Sequence, residues 1–353
     1  MSKVIKIEEK VASVKEEKAA FVKQEIKALL SPRKSWVTPK DTKVEQDDVP
    51  YAEAVSTLVN YILFNKTFLQ WTGNSCHFDS WLMAEIAAYE ALGNDYWEDD
   101  QQFALPCNGW EMKLKEIAVH CSDFTDMSRR ATEMRVALLQ TQQRNSVSLA
   151  DPCDWVHEIS KDAGYHKREI IVVRTFEEDA GHECPFTPMD YRLKSTLQCL
   201  TLIFLGQESL SVADKVHALF NQHANLRSLQ CKTCGEYKMR IPQCTFVLPM
   251  LLVVAIEGAH NQIKVDTKLI IHGLLQYDLQ AVVWYHPRRT HYKATIKLRG
   301  KWYTYDDLLH AEVVPVKNDS HNNEFVARDV NDYLPRLLYY IHPKGGQHVL
   351  DNQ

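Results

Sequence analysis

Three residue types that can together attack a carbonyl (cysteine, histidine and aspartate) occur in this chain in settings that suit each role. The segment Gly73-Asn74-Ser75-Cys76-His77-Phe78-Asp79-Ser80 places a cysteine after a Gly-Asn turn and directly before a helical pattern. The first amides of a helix lack intrahelical partners and carry partial positive charge. They favour a thiolate, the nucleophilic form of cysteine, and the same N–H groups can hold an oxyanion. A buried structural cysteine at a helix start explains these residues equally well. His77 is not the expected base, because neighbours on one helical turn point apart.

The second stretch runs from His291 to Asp307. Tyr292, Ala294, Ile296 and Leu298 alternate with His291, Lys293, Thr295 and Lys297, the pattern of a half-buried strand. Arg299-Gly300 is a two-residue turn, and Lys301 to Tyr305 is the return strand. Leu298 then pairs with Lys301, Lys293 faces Asp306, and His291 and Asp306 become diagonal neighbours about 7–8 Å apart at the backbone. A carboxylate there can bond one imidazole nitrogen and leave the other for a thiol, the base-plus-orienter arrangement of nucleophilic catalysis. Asp307 alternates to the other face and is the weaker orienter. His286 competes as a base, but Pro287 follows it and no carboxylate partner is evident. Taken alone, the stretch also suits a surface hairpin with scattered polar groups.

These residues need elements to position them. From Tyr51 to about residue 165 the spacing is mainly helical. Phe78, Leu82, Ile86, Tyr89 and Leu92 mark one apolar helix face, and residues 112–120 and 128–143 are further helices. From about residue 169 β-branched residues dominate, predicting strands over 169–175, 201–205, 245–254, 264–271 and 279–285. Helices followed by strands imply an α+β fold with the site between the two parts. Residues 1–30 hold twelve Lys or Glu with apolar residues at helical spacing, and Pro32, Pro39 and Pro50 punctuate a linker. Residues 1–50 are therefore expected outside the core and dispensable for catalysis, 51–345 form the domain, and 346–353 form a tail.

Composition removes several classes. A net charge of -5 over 353 residues argues against broad nucleic-acid binding. No run approaches the roughly eighteen apolar residues of a membrane span. The first residues, MSKVIKIEEK, lack the apolar core of a signal peptide, so cytoplasm or nucleus is expected. The nine cysteines would then stay reduced.

The cysteine segment resembles the cysteine box of ubiquitin-specific proteases, usually Gly-Asn-Thr-Cys-Tyr-x-Asn-Ser. Tyr277 to Val283, His291-Tyr-x-Ala and Trp302-x-x-Tyr-Asp-Asp are similar to that family's histidine box. Leu337 to His342 resembles its closing strand. The likeness spans about residues 65–342 in the family's order. It implies a papain-like fold with a helical thumb, a β-rich palm and short fingers. It also implies cleavage after the C-terminal glycine of ubiquitin or a ubiquitin-like protein, with Cys76, His291 and Asp306 as catalytic triad and no cofactor. Ubiquitin or SUMO conjugates are the implied partners.

Two departures beyond the cysteine box bear on the chemistry. Trp71 stands where the family has an oxyanion-donating asparagine, and Gln70, one residue further away, could supply the amide. Thr290 stands where a glycine usually precedes the histidine. Leu69-Gln70-Trp71 is similar to the divergent branch that includes the SUMO isopeptidase related to ubiquitin-specific proteases.

Cys231-x-x-Cys234 followed by Gly235 is half of a tetrahedral zinc site. The related upstream segment has Cys199, but Leu202 replaces its second cysteine. His182, Cys184 or His223 could complete the set. A degenerate finger held by packing is the preferred reading, so no metal residues are assigned. Cys107, Cys121, Cys153 and Cys244 are expected in the core. A catalytically silent binder of ubiquitin-like proteins on the same fold is the alternative function. A zinc-dependent interaction module is disfavoured by the single CxxC and the acidic balance.

Overall fold

In the computed structural model the described residues from Tyr51 to Val156 are mainly helical and those from Ile170 onward are built mainly on two sheets, an α+β arrangement. The described residues are 51–69, 75–98, 114–115, 117–118, 124–141, 151–153, 156, 168, 170–178, 192–197, 199–204, 211–225, 228–230, 237–258, 263–271, 275–309, 312–316, 332–342 and 348–351. All of them fall in one unit, residues 48–99 and 107–353. Residues 1–50, including the expected charged helix and linker, lie outside the described residues. No helix among the described residues is long and apolar enough to cross a membrane.

Among the described residues, the long helices before the strands are α1 (Tyr51–Asn65), α2 (Cys76–Glu98) and α3 (Phe124–Thr141). The second helix was expected to be amphipathic, with Phe78, Leu82, Ile86, Tyr89 and Leu92 inward. Those residues are buried, but so are Trp81, Met83, Ala84, Ala87 and Ala88. The helix is central, with α1 on one side and a sheet on the other. Its buried charges have partners distant in sequence. Arg168 donates to both carboxylate oxygens of Glu85, which also accepts from Tyr339 Oη at 3.0 Å. Arg135 donates to both oxygens of Asp79, at 2.8 and 2.9 Å. Buried charges persist only when paired in this way.

The strands are β1 (Ile170–Glu178), β2 (Arg192–Leu197), β3 (Leu200–Ile203), β4 (Ser228–Gln230), β5 (Tyr237–Leu248), β6 (Leu251–Glu257), β7 (Lys268–Ile271), β8 (Leu275–His286), β9 (His291–Leu298), β10 (Lys301–Asp306), β11 (Glu312–Pro315), β12 (Leu334–Ile341) and β13 (His348–Asp351). The larger sheet has the order β11-β10-β9-β8-β12-β6-β3, with β7 also on β8. The smaller has the order β13-β5-β1-β2, with β4 also on β5.

Strand alternation explains why the middle of the larger sheet is apolar on both faces. Leu251, Val253 and Ala255 face the α2 core, whereas Leu252, Val254 and Ile256 join a second core. That second core includes Val212, Val216 and Phe220 of helix α4 (Val212–Asn225) and Phe246 and Leu248 of β5.

Four expectations about elements change. The strand expected over 245–254 is two strands, because Pro249 has no N–H for a ladder and the chain there passes from one sheet to the other. The β-rich half contains helix α4. The third helix begins at Phe124, not 128. Residues 346–353, expected as a tail, include β13, which pairs with β5 and covers backbone groups of its edge.

Candidate active site

The hairpin of β9 and β10 has Leu298 opposite Lys301, with Trp302 opposite Lys297 and Tyr305 opposite Ala294. Arg299 and Gly300 have φ of 51° and 75°, positive at both central positions as a tight right-twisting hairpin turn requires. Ala294, Ile296 and Leu298 face α2. His291 and Asp306, at the far end of the hairpin, form a hydrogen bond of 2.8 Å between imidazole Nε2 and carboxylate Oδ1. Asp306 also accepts from the Leu308 N–H at 3.1 Å. Burial works against its charge, but the His291 bond, the imidazole, the Leu308 amide and Lys293 outweigh it and hold its carboxyl below the usual range.

Cys76 is the first residue of α2. The Phe78 and Asp79 amides close the opening turn on Ser75 O at 2.8 and 2.9 Å. Ser75 Oγ donates to Asp79 Oδ2 at 2.6 Å. The approach to this turn is fixed against the hairpin. Tyr305 Oη donates to Leu69 O at 2.7 Å, and the Val313 N–H donates to Lys66 O at 2.8 Å. The sulfur lies against the backbone amides of Tyr292, which follows His291, and of His77. Cys76 therefore lies beside the residue that follows His291, at the end of β9 where His291 bonds Asp306.

The helix start was expected to favour a thiolate. Burial instead dominates and pushes the Cys76 thiol up to about 12; the Tyr292 and His77 amides pull it down, and Asp307 and Asp79 push it further up. Cys76 as a residue is 5% exposed, so water does little to support a charge there and the thiol is favoured. Any reaction through this sulfur would need a neighbouring base to take its proton.

Asp307 is on the α2 side of the hairpin, as alternation from Asp306 requires, and faces Asp79. Because β10 ends at Asp306, the Asp307 carboxylate still comes within 3.9 Å of His291 Nε2. His286 sits opposite His291 across β8 and β9, its ring against Tyr333 and its Nδ1 accepting from the Arg289 N–H at 3.3 Å. Those contacts give it no orienting carboxylate. His77 is buried within α2.

Thr290 has φ 47°, the left-handed region that glycine enters most easily. A β-branched residue there costs about 1–2 kcal/mol, of which glycine's greater freedom in the unfolded chain returns roughly 0.5–1 kcal/mol. Thr290→Gly is expected to stabilise the fold by roughly 0.5 kcal/mol or more, read as a higher urea midpoint. A lower midpoint would mean that the Thr290 Oγ1 bond to Arg289 O (2.7 Å) outweighs the strain.

The chain matches no protein-family model and no curated protein. Gln70, the expected oxyanion donor, lies outside the described residues, as do Trp71, Gly73 and Asn74. Cys231, Cys234, His182 and Cys184 also lie outside them, and the His223 side chain is not described. Cys153 and Cys199 are buried free thiols that burial pushes up. His291, Asp306 and Asp307 are the one cluster among the described residues with ligand atoms close enough to share a metal. Composition and spacing gave no sign of the Asp79–Asp307 contact, since no local pattern links a helix start to a turn 228 positions later.

Proposed function

We propose that this chain is a thiol-dependent isopeptidase. It cleaves the bond after the C-terminal glycine of ubiquitin or a ubiquitin-like protein such as SUMO, on a papain-like fold with helical thumb, β-rich palm and short fingers. The observation that carries the reading is that Cys76, at the start of a buried helix, lies against the backbone amide of Tyr292, the residue after the His291 that bonds Asp306. The resemblance of the surrounding segments to the two boxes of ubiquitin-specific proteases supplies the substrate class.

With Asp306 on Nε2, that nitrogen carries the imidazole hydrogen and Nδ1 is the basic one. His291 takes the thiol proton as the sulfur attacks the glycine carbonyl. The resulting oxyanion is held by amides at the helix start. The imidazolium then protonates the departing lysine amine, leaving a thioester on Cys76. Water, deprotonated by His291, attacks the thioester, and the carboxylate leaves as the thiol reforms.

Hydrolysis of fluorogenic ubiquitin and SUMO C-terminal substrates tests the proposal. Turnover of one of them supports it, and turnover of neither, by folded protein, contradicts it. Gln70 supplies a further amide to the oxyanion on this reading. Gln70→Ala is expected to lower kcat far more than it changes KM, with a barrier increase of about 2.7–4 kcal/mol. Unchanged kcat would assign the oxyanion to backbone amides alone.

A further inference from the structure

Asp307 is 3% exposed, and among the described residues neither of its carboxylate oxygens has a hydrogen-bond donor from another residue. A buried carboxylate without a donor is costly. Its neighbour Asp79 is also fully buried but is well supplied, with two bonds from Arg135 and one from Ser75 Oγ. The two carboxyl groups lie within hydrogen-bonding reach of one another. As two carboxylates they have no proton to share and would repel. As one acid and one carboxylate they form a strong O–H···O bond.

We propose that Asp307 is a neutral carboxylic acid that donates its proton to Asp79, joining the start of the nucleophile helix to the end of the His291–Asp306 hairpin. It is a positioning residue. Its effect on rate rests on the isopeptidase reading, but its protonation does not.

The surroundings decide which partner holds the proton. Asp79 and Cys76 face Asp307 from α2, with Arg135 of α3 behind Asp79. His291 faces it from β9, Tyr305 and Asp306 lie beside it on β10, and Tyr333 approaches from the start of β12. The guanidinium bonds Asp79, so the charge stays there. Burial pushes Asp307 up to about 9, with the Asp79 and Asp306 charges adding to it. A neutral Asp307 also keeps a further negative charge from the Cys76 sulfur, where it would oppose thiolate formation.

The sign for stability follows from proton counts. In the unfolded chain Asp307 ionises near its ordinary value of 3.8, whereas the folded chain keeps the proton to about 9. Between those values the folded state binds more protons, so stability falls as pH rises and levels off above the upper value. Asp307→Asn has an amide N–H for Asp79 and nothing to titrate.

The test compares wild type, Asp307→Asn and Asp307→Ala. The melting temperature of Asp307→Asn is expected to gain on wild type as pH rises, by roughly 5 °C between about pH 5 and about pH 8.5. A gap that stays constant or reverses would overturn the proposal. Infrared spectra should show a protonated-carboxyl band in folded wild type at neutral pH that the asparagine variant lacks. Absence of that band would also overturn it, and this measurement serves if either variant fails to fold. In turnover, alanine should lower kcat roughly tenfold and asparagine restore most of that loss. An asparagine variant as slow as alanine would mean that ionised Asp307 is required. If folded wild type hydrolyses neither ubiquitin nor SUMO substrates, the isopeptidase reading fails, while the melting and infrared results still judge the proton.

Discussion

Cys76→Ala is expected to remove all measurable hydrolysis of ubiquitin and SUMO substrates while the protein stays folded. On the proposed isopeptidase reading the sulfur is the atom that forms the thioester, and amides and base remaining around an alanine cannot replace it. Residual acceleration by oxyanion donors alone lies far below the complete apparatus. Cys153 and Cys199 are not placed to substitute: the charged groups beside Cys153 are Asp151 and Arg336 and that beside Cys199 is Glu257, not the His291–Asp306 pair. The structural cost is small. Alanine is the best helix former, and removing one buried sulfur costs roughly 1 kcal/mol. Circular dichroism and melting temperature check the fold, and steady-state hydrolysis checks the activity. Turnover retained by the purified variant would remove Cys76 from the mechanism.

The second large effect separates the two aspartates. His291→Ala removes the base and should lower kcat/KM by roughly a thousandfold or more. Asp306→Ala removes the carboxylate bonded to Nε2 at 2.8 Å and leaves the ring free to turn. Its loss should be roughly a hundredfold or more, smaller than or equal to that of His291→Ala. The double variant should be little worse than His291→Ala alone, because members of a triad act as a unit. Asp307→Ala should lose much less than Asp306→Ala, since Asp307 acts through Asp79 and the helix start, not through the imidazole. The geometry that could reverse this order is the 3.9 Å separation of Asp307 Oδ1 from His291 Nε2. If Asp307→Ala is crippled and Asp306→Ala nearly normal, Asp307 is the orienter and the assignment of Asp306 is wrong.

The hairpin that carries His291 and Asp306 was legible because its information is local. Alternation fixes the face, Arg299-Gly300 fixes the turn, and together they fix the register down to Leu298 opposite Lys301. The helix after Cys76 was legible for the same reason, from five apolar residues at helical spacing. Its full burial was not. That depends on ion pairs between residues 56 and 83 positions apart, Asp79 with Arg135 and Glu85 with Arg168, which no periodicity announces. The thiol's high proton affinity was missed for a related reason. A helix start suggests a thiolate, but the balance is set by how much water the packed site excludes. Pro249 offered a usable signal for the break between β5 and β6. Helix α4 offered Val212, Val216 and Phe220 at spacings of four, inside the half of the chain read as β-rich.

The central claim is that Cys76 is the nucleophile of an isopeptidase acting at a ubiquitin-like C-terminus. The most direct measurement is covalent capture by ubiquitin and SUMO carrying a C-terminal electrophile, with the modified residue located by peptide mass spectrometry. The account predicts a single adduct on Cys76 with at least one of the two probes, lost in Cys76→Ala and strongly slowed in His291→Ala. Folded wild-type protein that reacts with neither probe, or reacts at another cysteine while Cys76 stays free, would contradict it.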